Sequence, residues 1–338
     1  MSQSAATPSH PASSTRPTHV LVLGGGPDAE RDVSLVSSKS VAEAITSLGT
    51  LDVTYKIIDR PTEDDLAAMP GDVIFPVLHG PWGEGGPMQD LLEDDGRPYV
   101  GSRPAAARLA MDKLGTKLAA ASAGVLTARA GSLNLADDGC PLDPPLVIKP
   151  VHEGSSVGVH IVRDHEQLAS ALTAARADIA VHPRRVYMVE QLIEGAGRGG
   201  HEVTVGVLDG AALAVVEIKP ASEFYDYHAK YHSDDTRYIP DPPLKSTLKQ
   251  ALMRDAETMA RVLGVRHLCR VDFIIDPQDQ HWLLEVNTMP GFTPHSLLPM
   301  AAAHRGISFA QLAGRLVELA VAGQAGQASH SGHAAQGR

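Results

Sequence analysis

Cysteine is scarce: only Cys140 and Cys269 occur in 338 residues. That excludes a disulfide framework and a thiolate zinc centre. Positive charge is also in short supply, since 29 Lys and Arg against 40 Asp and Glu leave a net charge of −11. This balance argues against nucleic acid or an anionic membrane surface as the main partner, while leaving room for a local basic pocket. No apolar run reaches membrane-spanning length. The first eighteen residues lack the apolar stretch of a secretion signal, and with residues 323–338 they read as flexible ends. The sixteen histidines never show a His-Glu-x-x-His spacing, so they read as surface and supporting residues. What remains is a soluble chain, 43% hydrophobic and 20% charged, long enough for two or three domains with real cores. The expectation is a cytoplasmic enzyme or binding protein.

The chemistry-bearing residues concentrate in residues 269–291. Two β-like runs, 269–276 and 281–287, flank Pro277-Gln278-Asp279-Gln280. With those four residues as the loop, Asp276 faces His281, Asp272 faces Glu285 and Arg270 faces Asn287. Alternation then puts Arg270, Asp272, Glu285 and Asn287 on one face, and Val271, Phe273, Ile275, Trp282, Leu284 and Val286 on the other. A solvated hairpin face is the commoner arrangement. Here, however, hard oxygen ligands form cross-strand pairs, and Thr288-Met289-Pro290-Gly291 makes a turn that brings backbone N–H groups beside them.

Upstream, residues 20–23 form a buried strand, followed by a glycine loop and a helix to about Leu48. Its apolar positions are Val33, Val36, Val41, Ala44, Ile45 and Leu48. Strand–glycine–helix is an anion-site layout. The dinucleotide match, Gly24-x-Gly26-x-x-Ala29, is weak because Pro27, Asp28 and Glu30 sit where a pyrophosphate needs bare N–H groups. It keeps a nicotinamide-binding oxidoreductase as an alternative. Glu30 either stabilises the helix dipole or binds the ammonium of an amino acid. Strands at 51–58 and 72–78 follow, and the Gly24 and His79 loops should share one crevice. His79 alone reads equally as a ligand contact or a loop brace.

Helices are expected at 87–95 and 103–122, the second carrying Lys113. Strand 146–150 holds Lys149 within an apolar run, where an unpaired ammonium is costly. The Gly154-Ser155-Ser156-Val157-Gly158 turn suits a flap over phosphates, although no P-loop spacing is present. Asp164 caps a helix to about Arg176. Strands follow at 186–193, 201–208 and 211–218, the last two joined at Asp209-Gly210. Residues 220–240 read as a lid, 244–263 as a helix, and 297–303 and 308–321 as closing helices.

In this order the segments resemble the D-alanine–D-alanine ligases of the ATP-grasp superfamily, over residues 19–321. The resemblance rests on Gly24-Gly25-Gly26-Pro27-Asp28-Ala29-Glu30-Arg31-Asp32-Val33-Ser34-Leu35, Leu78-His79-Gly80, Met111-Asp112-Lys113, Lys149-Pro150 and Glu153-Gly154-Ser155-Ser156-Val157-Gly158. It continues through Tyr225-Asp226-Tyr227-x-x-Lys230-Tyr231, Arg270-Val271-Asp272 and Leu284-Glu285-Val286-Asn287-Thr288-x-Pro290-Gly291. It implies an α/β (α+β), three-domain ATP-grasp fold. An N-terminal open parallel-sheet domain would span 19–110, a central domain 111–195 and a catalytic C-terminal domain 196–322, the last two clasping ATP.

The implied ligands are D-alanine, ATP and two Mg²⁺ (or Mn²⁺), and the implied assembly is a homodimer. Lys113, Lys149 and Ser156 would hold phosphates, Glu190, Gln191 and Ile193 the adenine, and Glu202 the ribose, with Leu284 also on the nucleotide. Asp272, Glu285 and Asn287 match metal positions. Glu30, with Ser155 and Tyr231, would bind the first D-alanine's ammonium. Lys230 would meet the transferring phosphoryl group. Arg270 and the Gly291 N–H would stabilise the oxyanion, and Ser296 with Leu297 the second carboxylate, with His79 and Glu84 nearby in the crevice. The implied product, D-alanyl-D-alanine, serves peptidoglycan precursor synthesis. The alternatives are an ATP-grasp ligase with another second substrate, including a D-alanine–D-lactate type. This chain departs from the family at Gln191, where the family has Lys, at Gly85-Gly86-Pro87, and at the apparent insertion 197–200.

Overall fold

The computed structural model describes residues 18–137, 139–193, 200–219 and 236–334, with side chains through residue 323. Three sheets organise the described residues. In the first, β1 (His19–Gly25) runs parallel to β2 (Asp52–Ile58) and β3 (Val73–Pro76) on either side. β1 and β3 are continuous apolar runs because both of their faces are covered. The crossovers carry α1 (Arg31–Ser47) and α2 (Glu63–Ala67), and the latter opens on a Thr62/Asp65 capping box. Short α3 (Gly80–Gly83) and α4 (Pro87–Asp95) follow β3.

The buried face of α1 differs from the expected one. Val36 is 59% exposed, and the inward stripe begins with Ser34, Ser37 and Ser38 before Val41, Ala42 and Ile45. The serines face inward because they serve backbone groups. Ser34 Oγ accepts from Gly25 N–H at 2.9 Å and donates to the Val77 carbonyl. Ser38 packs so tightly on Gly24 that a Cβ there would lie 1.9 Å from its Oγ, so that position must be glycine.

The single helix expected over 103–122 is two, α5 (Pro104–Met111) and α6 (Lys113–Ser122). Asp112 breaks it with an extended backbone (φ −80°, ψ 101°) and caps α6 by accepting from Gly115 N–H at 2.9 Å. Lys113 thereby opens a helix and is buried, not solvated as a lone helix lysine would read.

The second sheet has the order β4–β7–β5–β6, formed by β4 (Ala130–Leu133), β5 (Leu146–Pro150), β6 (His160–Val162) and β7 (Tyr187–Gln191). α7 (His165–Val181), capped by Asp164, packs Leu172 and Ala175 into its core and runs past the expected end at Arg176. The third sheet is antiparallel, with order β10–β9–β8–β11–β12. Its strands are β8 (His201–Leu208), β9 (Ala211–Lys219), β10 (Arg237–Pro240), β11 (Leu268–Ile275) and β12 (His281–Asn287). Asp209 and Gly210 both have positive φ, 53° and 77°, as the tight β8–β9 turn demands. α8 (Ser246–Leu263) covers one face; α9 (Leu297–His304) packs Leu298 against Gly206 on β8. α10 (Phe309–Ala334) continues beyond the expected end at Val321. Its Leu312, Leu316 and Val317 share one core with Val20, Val41 and Phe75, which joins the first sheet to the third.

The β11–β12 hairpin matches the expected register at the site and departs from it near the loop. Asp272 pairs with Glu285 and Arg270 with Asn287, but Ile275, not Asp276, faces His281. The cause is Asp276, which folds into the loop by accepting from Gln278 N–H, Gln280 N–H and Trp282 Nε1 at 2.9 Å each. A bulge at Leu284 then restores the inner pairing. Trp282 and Leu284 therefore do not join the core face as expected. They pack with Ile274, Ala128 and Ile193 on the opposite side, and Leu283 enters the core instead.

Candidate active site

The second and third sheets face each other across a cavity of about 520 Å³. Its walls include Lys113, Lys149, Ser156, Glu190, Gln191, Ile193, Glu202, Asp272, Leu284 and Glu285, all expected from the sequence. Leu284 arrives there through the bulge, beside Ile274.

Buried cations line the inner end. Lys149 Nζ meets Glu190 Oε1 at 2.5 Å, and Lys117 Nζ lies 2.8 Å from Oε2 of the same carboxylate. Burial alone would favour a neutral Glu190, but the ammonium groups of Lys149 and Lys117 overcome it and hold the carboxyl down at about 2. Lys117 was not foreseen, because a lone lysine on a helix reads as solvated. Its signal was the Lys113-x-x-x-Lys117 spacing, which sets both ammonium groups on one face. Lys117 also donates to Thr127 Oγ1 at 2.7 Å. Lys113 Nζ donates to the Glu153 carbonyl at 2.6 Å and pairs with Glu285 Oε2 at 3.2 Å, tying the root of the Ser/Gly turn to the third sheet. Glu153 is braced in turn by Arg185, which also holds Asp178. Ser155 and Ser156 have positive φ, 49° and 59°, a conformation that bends the flap sharply.

On the third sheet's site face, Arg270 Nη2 donates to Asp272 Oδ2 at 2.7 Å, and Thr204 Oγ1 donates to Asp272 Oδ1 at 2.6 Å. Asp272, Glu285 and Asn287 supply oxygen donors from paired positions of one hairpin. Among the described residues no three His, Cys, Asp or Glu side chains converge on a point, so a cation here would rest on two carboxylates and an amide. That sparse oxygen set fits Mg²⁺, which keeps waters and shares ligands with phosphates.

The crevice above the first sheet adjoins this face. Ser155 Oγ donates to Glu30 Oε1, and a Cβ on Gly154 would lie 2.9 Å from Glu30 Oε2, so flap and glutamate touch. Glu84 is buried and its carboxyl is pushed well above the usual range, by desolvation first and then by the charge of Glu30. Burial also lowers His79, against the opposing pull of Glu30. Asp28 is raised by burial despite accepting from Trp82 and Gly83 N–H. Both His79 and Glu84 contact the backbone of Met289. Gly291 follows in the same turn, and Ser296 bonds Thr293 beside Leu297, the first residue of α9. Tyr231 and Lys230 lie outside the described residues.

The family model "D-ala D-ala ligase C-terminus" matches residues 139–318, more than half of the chain. A D-alanine–D-alanine ligase of Methylacidiphilum infernorum is 38% identical over 309 residues, covering 90% of this chain and 95% of that one. The chain belongs to the D-alanine–D-alanine ligase family. Another member, from Pseudomonas entomophila, is 42% identical over 300 residues, covering 87% and 90% of the two chains. Among solved structures, the D-alanine–D-alanine ligase of Bacillus anthracis superposes with a TM-score of 0.78 at 28% identity, covering 92% of this chain and 99% of that one. The VanG D-Ala:D-Ser ligase of Enterococcus faecalis gives 0.75 at 27%, covering 90% and 100%. In the terms of this ligase family, the facing antiparallel sheets are the ATP-grasp pair and the parallel sheet is the N-terminal domain.

Proposed function

We infer that the chain joins two D-alanines into D-alanyl-D-alanine with ATP, by way of a D-alanyl phosphate. The observation that carries this reading is that the Gly154–Ser156 turn, which lines a cation-walled cavity, also touches the Glu30 carboxylate at the start of α1. The cavity suits ATP: Lys113 and Lys149 face its phosphates beneath the Ser156 flap, Ile193, Ile274 and Leu284 give the adenine an apolar bed, and Glu202 reaches the ribose. Gln191 and Glu190 take the adenine edge. Asp272, Glu285 and Asn287 would hold Mg²⁺ or Mn²⁺, which when bound neutralises phosphate charge and orients the γ-phosphoryl group.

Glu30, oriented by Ser155, receives the ammonium of the first D-alanine. That D-alanine's own carboxylate attacks the γ-phosphate, and ADP leaves. The amine of the second D-alanine then displaces phosphate. Arg270 and the Gly291 N–H stabilise the oxyanion of that step, where one such donor is typically worth about 10²–10³ in rate. Ser296 and Leu297, at the N-terminus of α9, receive the second carboxylate. By the family resemblance, Lys230 would meet the transferring phosphoryl group and Tyr231 would join Ser155 on Glu30; both lie outside the described residues.

The product feeds peptidoglycan precursor synthesis. A cytoplasmic location and a homodimer complete the reading. No helix among the described residues is long and apolar enough to cross a membrane. The test is phosphate release from ATP and Mg²⁺ with D-alanine, alone and beside D-serine or D-lactate. Release that depends on D-alanine and yields the homodipeptide supports the reading. A mixed product moves the second-substrate assignment, and no D-alanine dependence rejects it.

A further inference from the structure

Gly291 sits in the turn after β12, and the peptide groups on either side of it are held by residues more than two hundred positions away. The Met289 carbonyl accepts from His79 Nδ1 at 2.8 Å. Met289 N–H donates to Glu84 Oε2 at 3.1 Å, shared with Asn287 Oδ1 at 3.0 Å. Phe292 N–H donates to Ser37 Oγ at 3.1 Å. Ser37, His79 and Glu84 are all buried, and all belong to the N-terminal unit.

We propose that Ser37, His79 and Glu84 are positioning residues that aim the Gly291 N–H by fixing the Met289 and Phe292 peptides on its two sides. This rests on the ligase reading and on Gly291 as an oxyanion donor. A carbonyl only accepts, so His79 must carry its proton on Nδ1. Glu84 is itself fixed, because its other oxygen accepts from Gly80 N–H at 3.1 Å. Ser37 lies on α1, two turns after Glu30. The unit that receives the first D-alanine therefore also sets the geometry of the second chemical step. Donor placement matters at this scale, since a displacement of about 1 Å can cost about 10²-fold in rate.

This assignment differs from a direct contact of His79 with substrate, and atom-specific variants separate the two. Asn at position 79 can put an N–H where Nδ1 is, whereas Gln reaches only to the place of Nε2. Rapid-quench turnovers with ATP, Mg²⁺ and D-alanine follow ADP, which reports the first step, and dipeptide, which reports the second. The wild-type chain must first make dipeptide; if it does not, the ligase reading fails, not the positioning. In an active enzyme, Ser37→Ala and His79→Gln should form ADP and bind ATP within about twofold of wild type. Their dipeptide formation should lag about tenfold or more, with ADP accumulating in excess of dipeptide. His79→Asn should stay within about threefold of wild type in both steps. Loss of both steps in parallel, wild-type dipeptide formation by Ser37→Ala, or His79→Gln matching or exceeding His79→Asn would overturn the proposal. Should Ser37→Ala fail to fold, the two His79 variants decide it alone.

Discussion

Glu190 and Glu84 are both buried glutamates beside the proposed reaction path, and their surroundings shift their carboxyls in opposite directions. At the cavity's inner end, Glu190 is flanked by Lys149 and Lys117 and stays ionised against its burial. In the crevice, Glu84 meets backbone N–H groups and the charge of Glu30, and burial favours its neutral form. The first region holds surplus cations in place for a polyanion. The second fixes the Met289 peptide of the turn whose Gly291 N–H is the proposed oxyanion donor. Two carboxyls of the same type thus do different work because of what lies within hydrogen-bonding reach of each.

The largest effect is expected where the two regions meet. Glu285→Gln removes a charge that pairs with Lys113 and belongs to the proposed metal set. It should cut turnover by about 10³-fold or more with little change in melting temperature, as read by coupled ADP release and calorimetry. Near-normal turnover would withdraw Glu285 from the metal set. Next in size is Glu190→Gln, which leaves Lys117 and Lys149 buried without a counter-charge and should cost about 3–5 kcal/mol in urea unfolding at neutral pH. Because the folded carboxyl sits at about 2 against 4.5 in the unfolded chain, its contribution is present above about pH 4.5 and is lost as pH falls toward 2. The gap between wild type and variant should close over that window.

Glu84→Gln is the direct counterpart. Glutamine keeps one acceptor oxygen for the Gly80 and Met289 N–H groups where the carboxyl offers two, so it should cost about 1–3 kcal/mol through the N–H left facing the amide. The raised carboxyl is most compatible with folding below its ordinary range and becomes a burden as pH rises. The variant should therefore gain on wild type with increasing pH, opposite in sense to Glu190→Gln. Equal losses in both variants would break the contrast.

The smallest effect concerns His267, which accepts from Gly101 N–H at 3.1 Å and whose ring burial depresses to about 4. Its contribution to stability is present above about pH 6.5 and is lost as pH falls through 4. His267 has φ 62°, which Asn tolerates, and Asn also offers an acceptor. His267→Asn should keep neutral-pH stability and flatten the melting temperature between pH 6.5 and 4.

Much of the site was legible in the sequence because it rests on period-two alternation and on short motifs. Loop length and alternation predicted the pairing of Asp272 with Glu285 and of Arg270 with Asn287, and it holds because the bulge at Leu284 cancels the one-residue shift at the loop. That bulge was not itself legible, because nothing in the hydrophobic pattern marks an extra residue; the turn-forming capacity of Asp276 was the available hint. The α4 span Pro87–Asp95 followed from its Pro start and the Gly96 stop, as Lys149's need for a partner followed from its apolar strand. The serine stripe of α1 was hidden because hydrophobic periodicity ignores a polar residue that buries itself by serving backbone groups. The break at Asp112 was masked by the alanine-rich run around it, although an Asp before a Lys-Leu-Gly start is a capping signal.

In the proposed reaction a D-alanine carboxylate, not water, takes the γ-phosphoryl group of ATP. Incubating the chain with ATP, Mg²⁺ and carboxyl-¹⁸O-labelled D-alanine and weighing the released phosphate by mass spectrometry tests it directly. One ¹⁸O should transfer into each phosphate, with one D-alanyl-D-alanine formed per ADP. Unlabelled phosphate, with or without dipeptide, would contradict it.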